Sequence, residues 1–190
     1  MSAKRKGDWM QTYTGRQFWP LDPRPEEVDI VDIAKALSQQ CRFAGHTTEF
    51  YSVAQHSVLV SRRAGELVLG QPRLRREAAR SGLLHDAAEA YLVDLPRPVK
   101  NQPGFELYRL AEIRLMRAIR ERFGVYETPA QVRWADDQVL MTEARDLLGP
   151  KPCPWACDAE PLPDIIRPLP PAEAHSLFMR AFEELFGGGR

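Results

Sequence analysis

Apolar residues recur at helical spacing along most of the chain after residue 28. The first such stripe consists of Ile30, Ile33, Ala34 and Leu37. Its i, i+3, i+4, i+7 spacing places the four side chains on one face of an α-helix. The pattern therefore predicts an all-α protein in which each helix buries one face. Further stripes of the same kind predict helices over about 52–69, 73–91, 105–123, 128–149 and 171–186.

Two segments lack this periodicity. In WMQTYTGRQFWP, β-prone residues flank the turn-forming residues 14–16, which predicts a short hairpin in an extended segment over 1–28. Residues 150–171 hold eight of the sixteen prolines, and we expect them to form a strap over the domain rather than a free linker. The apolar residues expected to dock this strap are Trp155, Ile165, Ile166 and Leu169. We thus predict one helical domain over 29–148, on which the strap and last helix, 149–190, also pack.

Charge and composition narrow the classes of partner. The chain has 26 basic and 26 acidic residues, so it offers no strong field for nucleic acid. No apolar run approaches the roughly 18 residues of a membrane-spanning helix. The three cysteines are too few and odd in number for a disulfide framework, and no apolar stretch follows the basic N-terminus. We therefore expect a cytoplasmic protein with neither a nucleic-acid nor a membrane partner.

Ionisable residues lie on the faces that these helices should bury. His56 lies four residues before Val60 and shares its inward stripe. In the predicted 128–149 helix, Asp136 belongs to the buried stripe, and Glu143 follows on the same side at i+7. Burying a charge without a partner costs several kcal/mol or more, so these residues need an explanation.

The stretch SGLLHDAAEAYLVDLP, residues 81–96, raises the same question. Apolar residues almost surround His85 and Asp86 within it. Taken singly, an inward histidine is often a hydrogen-bonded core residue, and an inward aspartate is often a cap or an ion-pair partner. Two imidazoles and two carboxylates converging from three helices would, however, be satisfied together by a divalent cation. The candidate ligands are His56, His85, Asp86 and Asp136.

The order of these residues resembles the H…HD…D signature of the HD-domain metal-dependent phosphohydrolases. Residues 85–100, HDAAEAYLVDLPRPVK, are similar to the bacterial 5′-deoxynucleotidase-like branch, where Glu follows the HD pair at +3 and an Asp-Leu-Pro-x-Pro-x-Lys run comes next. The similarity extends over about 29–148. It implies an HD-type helical bundle with one central divalent ion, which would be Mn, Co, Fe, Ni or Zn, with Mg also compatible. The implied ligands are again His56, His85, Asp86 and Asp136.

The resemblance also implies roles for the residues around the metal. Glu89 matches the family's catalytic glutamate, and Asp94 matches a second carboxylate that positions or protonates the reacting groups. From the residues alone, Asp94 is equally well explained as a turn residue, and the basic side chains after it as solvated charges. The implied substrate-binding residues are Arg42, Phe43, Arg97 and Lys100.

The implied activity is hydrolysis of the 5′-phosphomonoester of a small-molecule (deoxy)nucleotide by a metal-activated water. A dNTP triphosphohydrolase using the same site and a regulatory module without turnover remain alternatives. Ala90 stands where alarmone hydrolases carry a second acid, and four histidines without a GYP motif do not suit a cyclic-dinucleotide phosphodiesterase. Proteins of this kind are often homodimers or larger, so the apolar faces of 105–123 and 171–186 could pack internally or against another copy.

Overall fold

A computed structural model describes residues 5–127 and 129–187, and almost all of its regular structure is helical. An N-terminal hairpin pairs β1 (Met10–Gln11) antiparallel with β2 (Gln17–Phe18). This confirms the predicted all-α fold with a short hairpin. The described residues exclude 1–4, 128 and 188–190. The start of the predicted extended segment, the start of the predicted 128–149 helix and the end of the 149–190 segment therefore lie outside them. The helices are α1 (Ile30–Gln39), α2 (Val53–Glu66), α3 (Pro72–Leu83), α4 (Glu89–Leu92), α5 (Arg97–Lys100), α6 (Glu106–Phe123), α7 (Pro129–Asp146) and α8 (Pro171–Phe186).

Local sequence signals explain several helix ends. The side chain of Asp29 accepts a hydrogen bond from the Val31 N–H at the start of α1. Ser52 does the same for the Gln55 N–H at the start of α2, and such caps satisfy N–H groups that have no partner within the helix. Gly124 ends α6 in the left-handed conformation, with φ 61°, which glycine adopts without a steric penalty. These ends agree with the predicted ones to within a few residues.

The predicted helix over 73–91 is wrong as a continuous element. The chain leaves helical geometry after Leu83 and resumes it at Glu89. Between them, the ring Nδ1 of His85 lies 2.7 Å from the Gly82 carbonyl oxygen, an acceptor that a continuous helix would pair with a backbone N–H. Tight i to i+3 bonds, such as the Glu89 N–H to the Asp86 carbonyl at 3.0 Å, carry the chain through this turn.

Helix α2 lies at the centre of the fold and packs against α1, α3, α7 and α8. It approaches α3 closely at Gly82, where an added Cβ would lie only 2.9 Å from the Ser61 Cα. The largest apolar side chains of the main core are almost fully buried. They include Phe18, Ile33, Leu37, Leu83, Leu84, Leu115, Ile119 and Phe178.

The Pro-rich strap lies against α2 and α7. Both ends of the Gln55 amide hold it, since Nε2 donates to the Arg167 carbonyl at 2.8 Å and Oε1 accepts from the Leu169 N–H at 2.9 Å. The hydroxyl of Thr142 accepts from the Leu162 N–H at 2.8 Å. Ile165, which we expected to dock, is instead 74% exposed because the strap is held mainly through its backbone.

Helices α6 and α8 bury their apolar faces to different extents. The α8 face packs internally, with Phe178 fully buried. Helix α6 buries Leu115 and Ile119 but leaves Leu107 and Ile113 exposed. No helix among residues 5–127 and 129–187 combines the length and the hydropathy required to cross a bilayer.

Candidate metal centre

Three helical segments bring His56, His85 and Asp136 together. Helix α2 supplies His56, the turn after α3 supplies His85, and α7 supplies Asp136. The His56 Nε2 lies 3.3 Å from the His85 Nε2 and 3.3 Å from the Asp136 Oδ1. One ligand atom from each residue lies within 4.8 Å of the others, and His56 is fully buried. This group could therefore hold a metal ion.

The hydrogen bonds of the two imidazoles determine which ring nitrogens remain free. The Nδ1 of His56 lies 2.7 Å from the Glu143 Oε1, and the Nδ1 of His85 lies 2.7 Å from the Gly82 carbonyl. Because both partners are acceptors, each Nδ1 carries the proton in a neutral ring, and each Nε2 presents a lone pair. Two lone pairs facing each other at 3.3 Å repel unless a cation lies between them. The donor set thus fits a cation.

Asp86 adds a further carboxylate to this group. Its Oδ2 lies 3.2 Å from the His85 Nε2 and 3.6 Å from the His56 Nε2. Ligands bound to one ion at about 2.1 Å are separated by roughly 3.0–3.4 Å at octahedral or tetrahedral angles. The spacing of Asp86 is therefore close to that of a fourth ligand in a mixed nitrogen and oxygen site.

The electrostatics of the cluster favour a positive charge. Burial and the Arg42 guanidinium act to lower the pKa of His56, but the carboxylates of Glu143 and Asp136 outweigh them and raise it to about 9. Burial alone would raise the pKa of Asp136, yet His56 and His85 lower it to about 2. The carboxylates thus hold a proton on His56 in the absence of a metal, and a divalent cation would compete for the same position.

The two predicted catalytic carboxylates lie beside Asp86. Glu89 is 7% exposed, and its buried Oε2 has no hydrogen-bond partner in the described part of the chain. Burial, and then the carboxylates of Asp86 and Asp94, raise the pKa of Glu89 well above its ordinary value. Burial also raises the pKa of Asp94. An unpartnered carboxylate with a raised pKa at the edge of such a cluster is typical of an acid–base group.

Of the three basic side chains predicted to bind phosphate, two lie near carboxylates of the cluster and one does not. The Nη1 of Arg42, a largely but not fully buried side chain, lies 3.7 Å from the Asp86 Oδ2. The exposed Arg97 approaches the Asp136 Oδ2 at 3.6 Å. Lys100 does not contact the cluster, because it forms an ion pair with Glu112 on α6.

A polar cleft of about 340 Å³ opens beside the cluster. His85 and Asp86 are among the residues that line it, together with Lys100 of α5 and Arg120 of α6. Arg120 is paired there with Glu127. Of the candidate ligands, His85 and Asp86 thus line a cleft.

Phe43 lies on the Arg42 side of the cluster. The Arg42 guanidinium carbon is 5.3 Å from the centre of the Phe43 ring. The strap brings the Trp155 ring to 6.4 Å from the same ring. Phe43 and Ala44 both have left-handed backbone conformations, with φ 54° and 50°. Such conformations in non-glycine residues are uncommon and concentrate at functional sites.

Glu143 is the site residue to which we assigned no role from the sequence. It is fully buried, it accepts a hydrogen bond from Arg42 at 3.1 Å, and it holds the Nδ1 of His56. Its position at i+7 from Asp136 indicated an inward direction. The partners could not be inferred because they lie 101 and 87 residues away in the chain.

We expect Glu143→Gln to weaken metal binding by about 10- to 100-fold, the usual effect of removing a charged partner of a metal-binding histidine. The amide would no longer supply the negative charge that holds the proton on the Nδ1 of His56. Titration calorimetry with Mn²⁺ or Co²⁺ measures the effect. Glu66→Gln, an exposed change at the end of α2, the helix that carries His56, is the control. Equal metal affinity in both variants would contradict the orienting role.

The fold and the site together define an all-α protein with a candidate metal centre where three helical segments meet. No family model matches the chain. It is 36% identical over 183 residues to the uncharacterized protein YfdR of Escherichia coli (strain K12), which covers 93% of this chain and 95% of YfdR. It is also 36% identical over 151 residues to the uncharacterized protein RCAP_rcc00048 of Rhodobacter capsulatus, covering 76% of this chain and 75% of that protein. The chain belongs to the family of these two proteins.

Proposed function

We propose that this protein is a divalent-metal-dependent phosphohydrolase of the HD superfamily that removes the 5′-phosphate from (deoxy)nucleoside monophosphates. The observation that carries the proposal is the pair of imidazole Nε2 atoms, 3.3 Å apart among carboxylates, next to the buried and unpartnered Oε2 of Glu89. The resemblance of the His56, His85-Asp86, Asp136 order to the HD signature supports it further. The proposed ligands are these four residues.

The ligand chemistry favours a transition metal. Two imidazoles and two carboxylates, with no thiolate, suit Mn, Fe, Co, Ni or Zn better than Mg. A bound divalent ion would supply Lewis-acid chemistry, polarising the phosphoryl group and lowering the pKa of a water molecule. The neutral Nε2 tautomers that Glu143 and Gly82 impose are the form in which histidine binds metals.

The protein's own residues divide the remaining chemistry. Water attacks phosphorus while the bond between phosphorus and the sugar O5′ breaks. Glu89 takes the proton from the attacking water, and Asp94, whose pKa is also raised, protonates the leaving oxygen. Arg42, beside Asp86, and Arg97, beside Asp136, neutralise negative charge that develops on the phosphoryl oxygens.

The charge balance around the cluster supports a monophosphate over a triphosphate substrate. Each predicted phosphate-binding cation lies beside a carboxylate of this protein, so these side chains leave little excess positive charge for the several negative charges of a triphosphate. The pairs are Arg42 with Glu143, Arg97 with Asp136 and Lys100 with Glu112.

A screen of product release tests the proposal. Purified protein is incubated with dNMPs, NMPs and dNTPs while Mn, Co, Ni, Fe, Zn and Mg are added in turn, and phosphate, pyrophosphate and triphosphate are quantified. We expect metal-dependent phosphate release from monophosphates. Triphosphate release from dNTPs would instead favour the triphosphohydrolase. Metal and nucleotide binding without any release would favour the regulatory module. A Glu89→Gln protein purified in parallel controls for contaminating phosphatases.

A further inference from the structure

The side chain of Gln40 bridges the two predicted catalytic carboxylates through their backbones. Its Nε2 donates a hydrogen bond to the Glu89 carbonyl at 2.9 Å. Its Oε1 accepts one from the Asp94 N–H at 3.2 Å. Gln40 also accepts a hydrogen bond on its own carbonyl from the Val53 N–H at 3.1 Å, at the start of the helix that carries His56. One residue after α1 therefore connects two segments of the site.

The segment that Gln40 spans is strained. Val93 has φ 65° and ψ 151°, a region that glycine occupies and a β-branched residue avoids. Its side chain is 54% exposed, so burial does not hold it there. The Val93 carbonyl accepts a hydrogen bond from the Tyr108 hydroxyl at 2.6 Å. Hydrogen bonds from outside the segment therefore help to hold the 89–94 backbone, alongside the bond within it from the Val93 N–H to the Glu89 carbonyl at 2.9 Å.

The direction of the Glu89 side chain depends on this backbone. In the described part of the chain, no donor holds its buried Oε2. Asp86 and Asp94 repel the carboxylate rather than fix it. The backbone of Glu89 therefore sets where the carboxylate points, and Gln40 holds that backbone at the Glu89 carbonyl.

We propose that Gln40 is a positioning residue that fixes where the Glu89 and Asp94 carboxylates lie relative to the metal cluster. Its effect on turnover rests on the proposed function, whereas its effect on the backbone does not. A purely structural role would lower stability alone. A positioning role lowers kcat at unchanged metal affinity, because Gln40 touches none of the four proposed metal ligands through its side-chain hydrogen bonds.

The decisive variant is Gln40→Met, which keeps the side-chain length and removes both hydrogen bonds. We expect kcat for the nucleoside monophosphate that the screen identifies to fall by about 10- to 100-fold, with KM and the Kd for Mn²⁺ little changed. Amide hydrogen exchange at Asp94, followed by NMR on the full chain, should accelerate. Gln39→Met is the matched control, since Gln39 is the exposed neighbour and forms no side-chain hydrogen bond among the described residues.

A second variant, Gln40→Glu, distinguishes loss of one hydrogen bond from a general folding defect. It can still accept from the Asp94 N–H but cannot donate to the Glu89 carbonyl. We expect slow exchange at Asp94 to persist while kcat remains reduced. Unchanged exchange at Asp94 in Gln40→Met overturns the proposal, even if the wild type hydrolyses no nucleotide. Accelerated exchange with unchanged kcat also overturns it while leaving the phosphohydrolase assignment intact. If the wild type has no activity but exchange accelerates, the bracing of the segment stands and only the function fails.

Discussion

Replacing Glu89 with glutamine is expected to abolish hydrolysis while leaving the metal and the fold in place. General acid–base groups contribute about 10²- to 10⁴-fold to enzymatic rates, so phosphate release should fall by that factor. The amide cannot accept the proton of the attacking water, yet it has nearly the same shape. Rates of phosphate release, together with metal content by mass spectrometry, test this. Unchanged phosphate release would remove Glu89 from the mechanism.

The same substitution should leave the metal-free protein at least as stable as the wild type. Burial and the neighbouring Asp86 and Asp94 raise the pKa of Glu89 in the folded state. A carboxyl whose pKa is higher when folded than when unfolded stabilises the protein at low pH, and this contribution is lost as the pH rises through the folded pKa. At neutral pH, above the ordinary pKa of the unfolded carboxyl, placing Glu89 in this site therefore opposes folding, and a neutral amide removes that cost. Thermal melts of Glu89→Gln measure this, with the exposed Glu66→Gln as the control.

Replacing Asp136 with alanine is expected to strip the metal. Its Oδ1 lies 3.3 Å from the Nε2 of His56, at the centre of the cluster. Loss of a direct ligand should lower affinity by more than the roughly 100-fold that loss of an orienting partner costs. Metal content after purification and titration calorimetry with Mn²⁺ or Co²⁺ measure the loss.

Asp137→Ala is the matched control for this experiment. Asp137 is the next residue of α7, rotated by about 100° from Asp136, and forms no ion pair among the described residues. Metal bound to the folded state raises the melting temperature, so added metal should shift the melt of Asp137→Ala and not that of Asp136→Ala. The opposite pattern would assign the fourth ligand to Asp137.

The elements of the fold were largely predictable because helix formation follows local periodicity. Helix α1 begins at Ile30, where the apolar stripe begins, since the Asp29 side chain caps its first turn, and it ends two residues after the stripe does at Leu37. The break after Leu83 was not predictable in the same way. It depends on the His85 ring bonding the Gly82 carbonyl, a contact that apolar spacing does not reveal.

The candidate site was predictable in part for the same reason. Helical periodicity alone indicated that His56 and Asp136 point inward, because each shares a stripe with buried apolar residues. It could not assign partners to Glu143 or any role to Gln40. Their side-chain hydrogen bonds join residues between 49 and 101 positions apart, and no periodic pattern in the sequence indicates such pairs.

By itself, the sequence determined most of the helical segments and the inward direction of His56 and Asp136, because both follow from interactions between residues three or four positions apart. Only the tertiary structure decided which atoms meet. Packing of α2 against α3 and α7 places the His56 Nε2 3.3 Å from both the His85 Nε2 and the Asp136 Oδ1. Lys100 of α5 pairs with Glu112 of α6 rather than with the cluster. These contacts depend on how whole helices cross, and the crossing is set by the combined shape of their side chains.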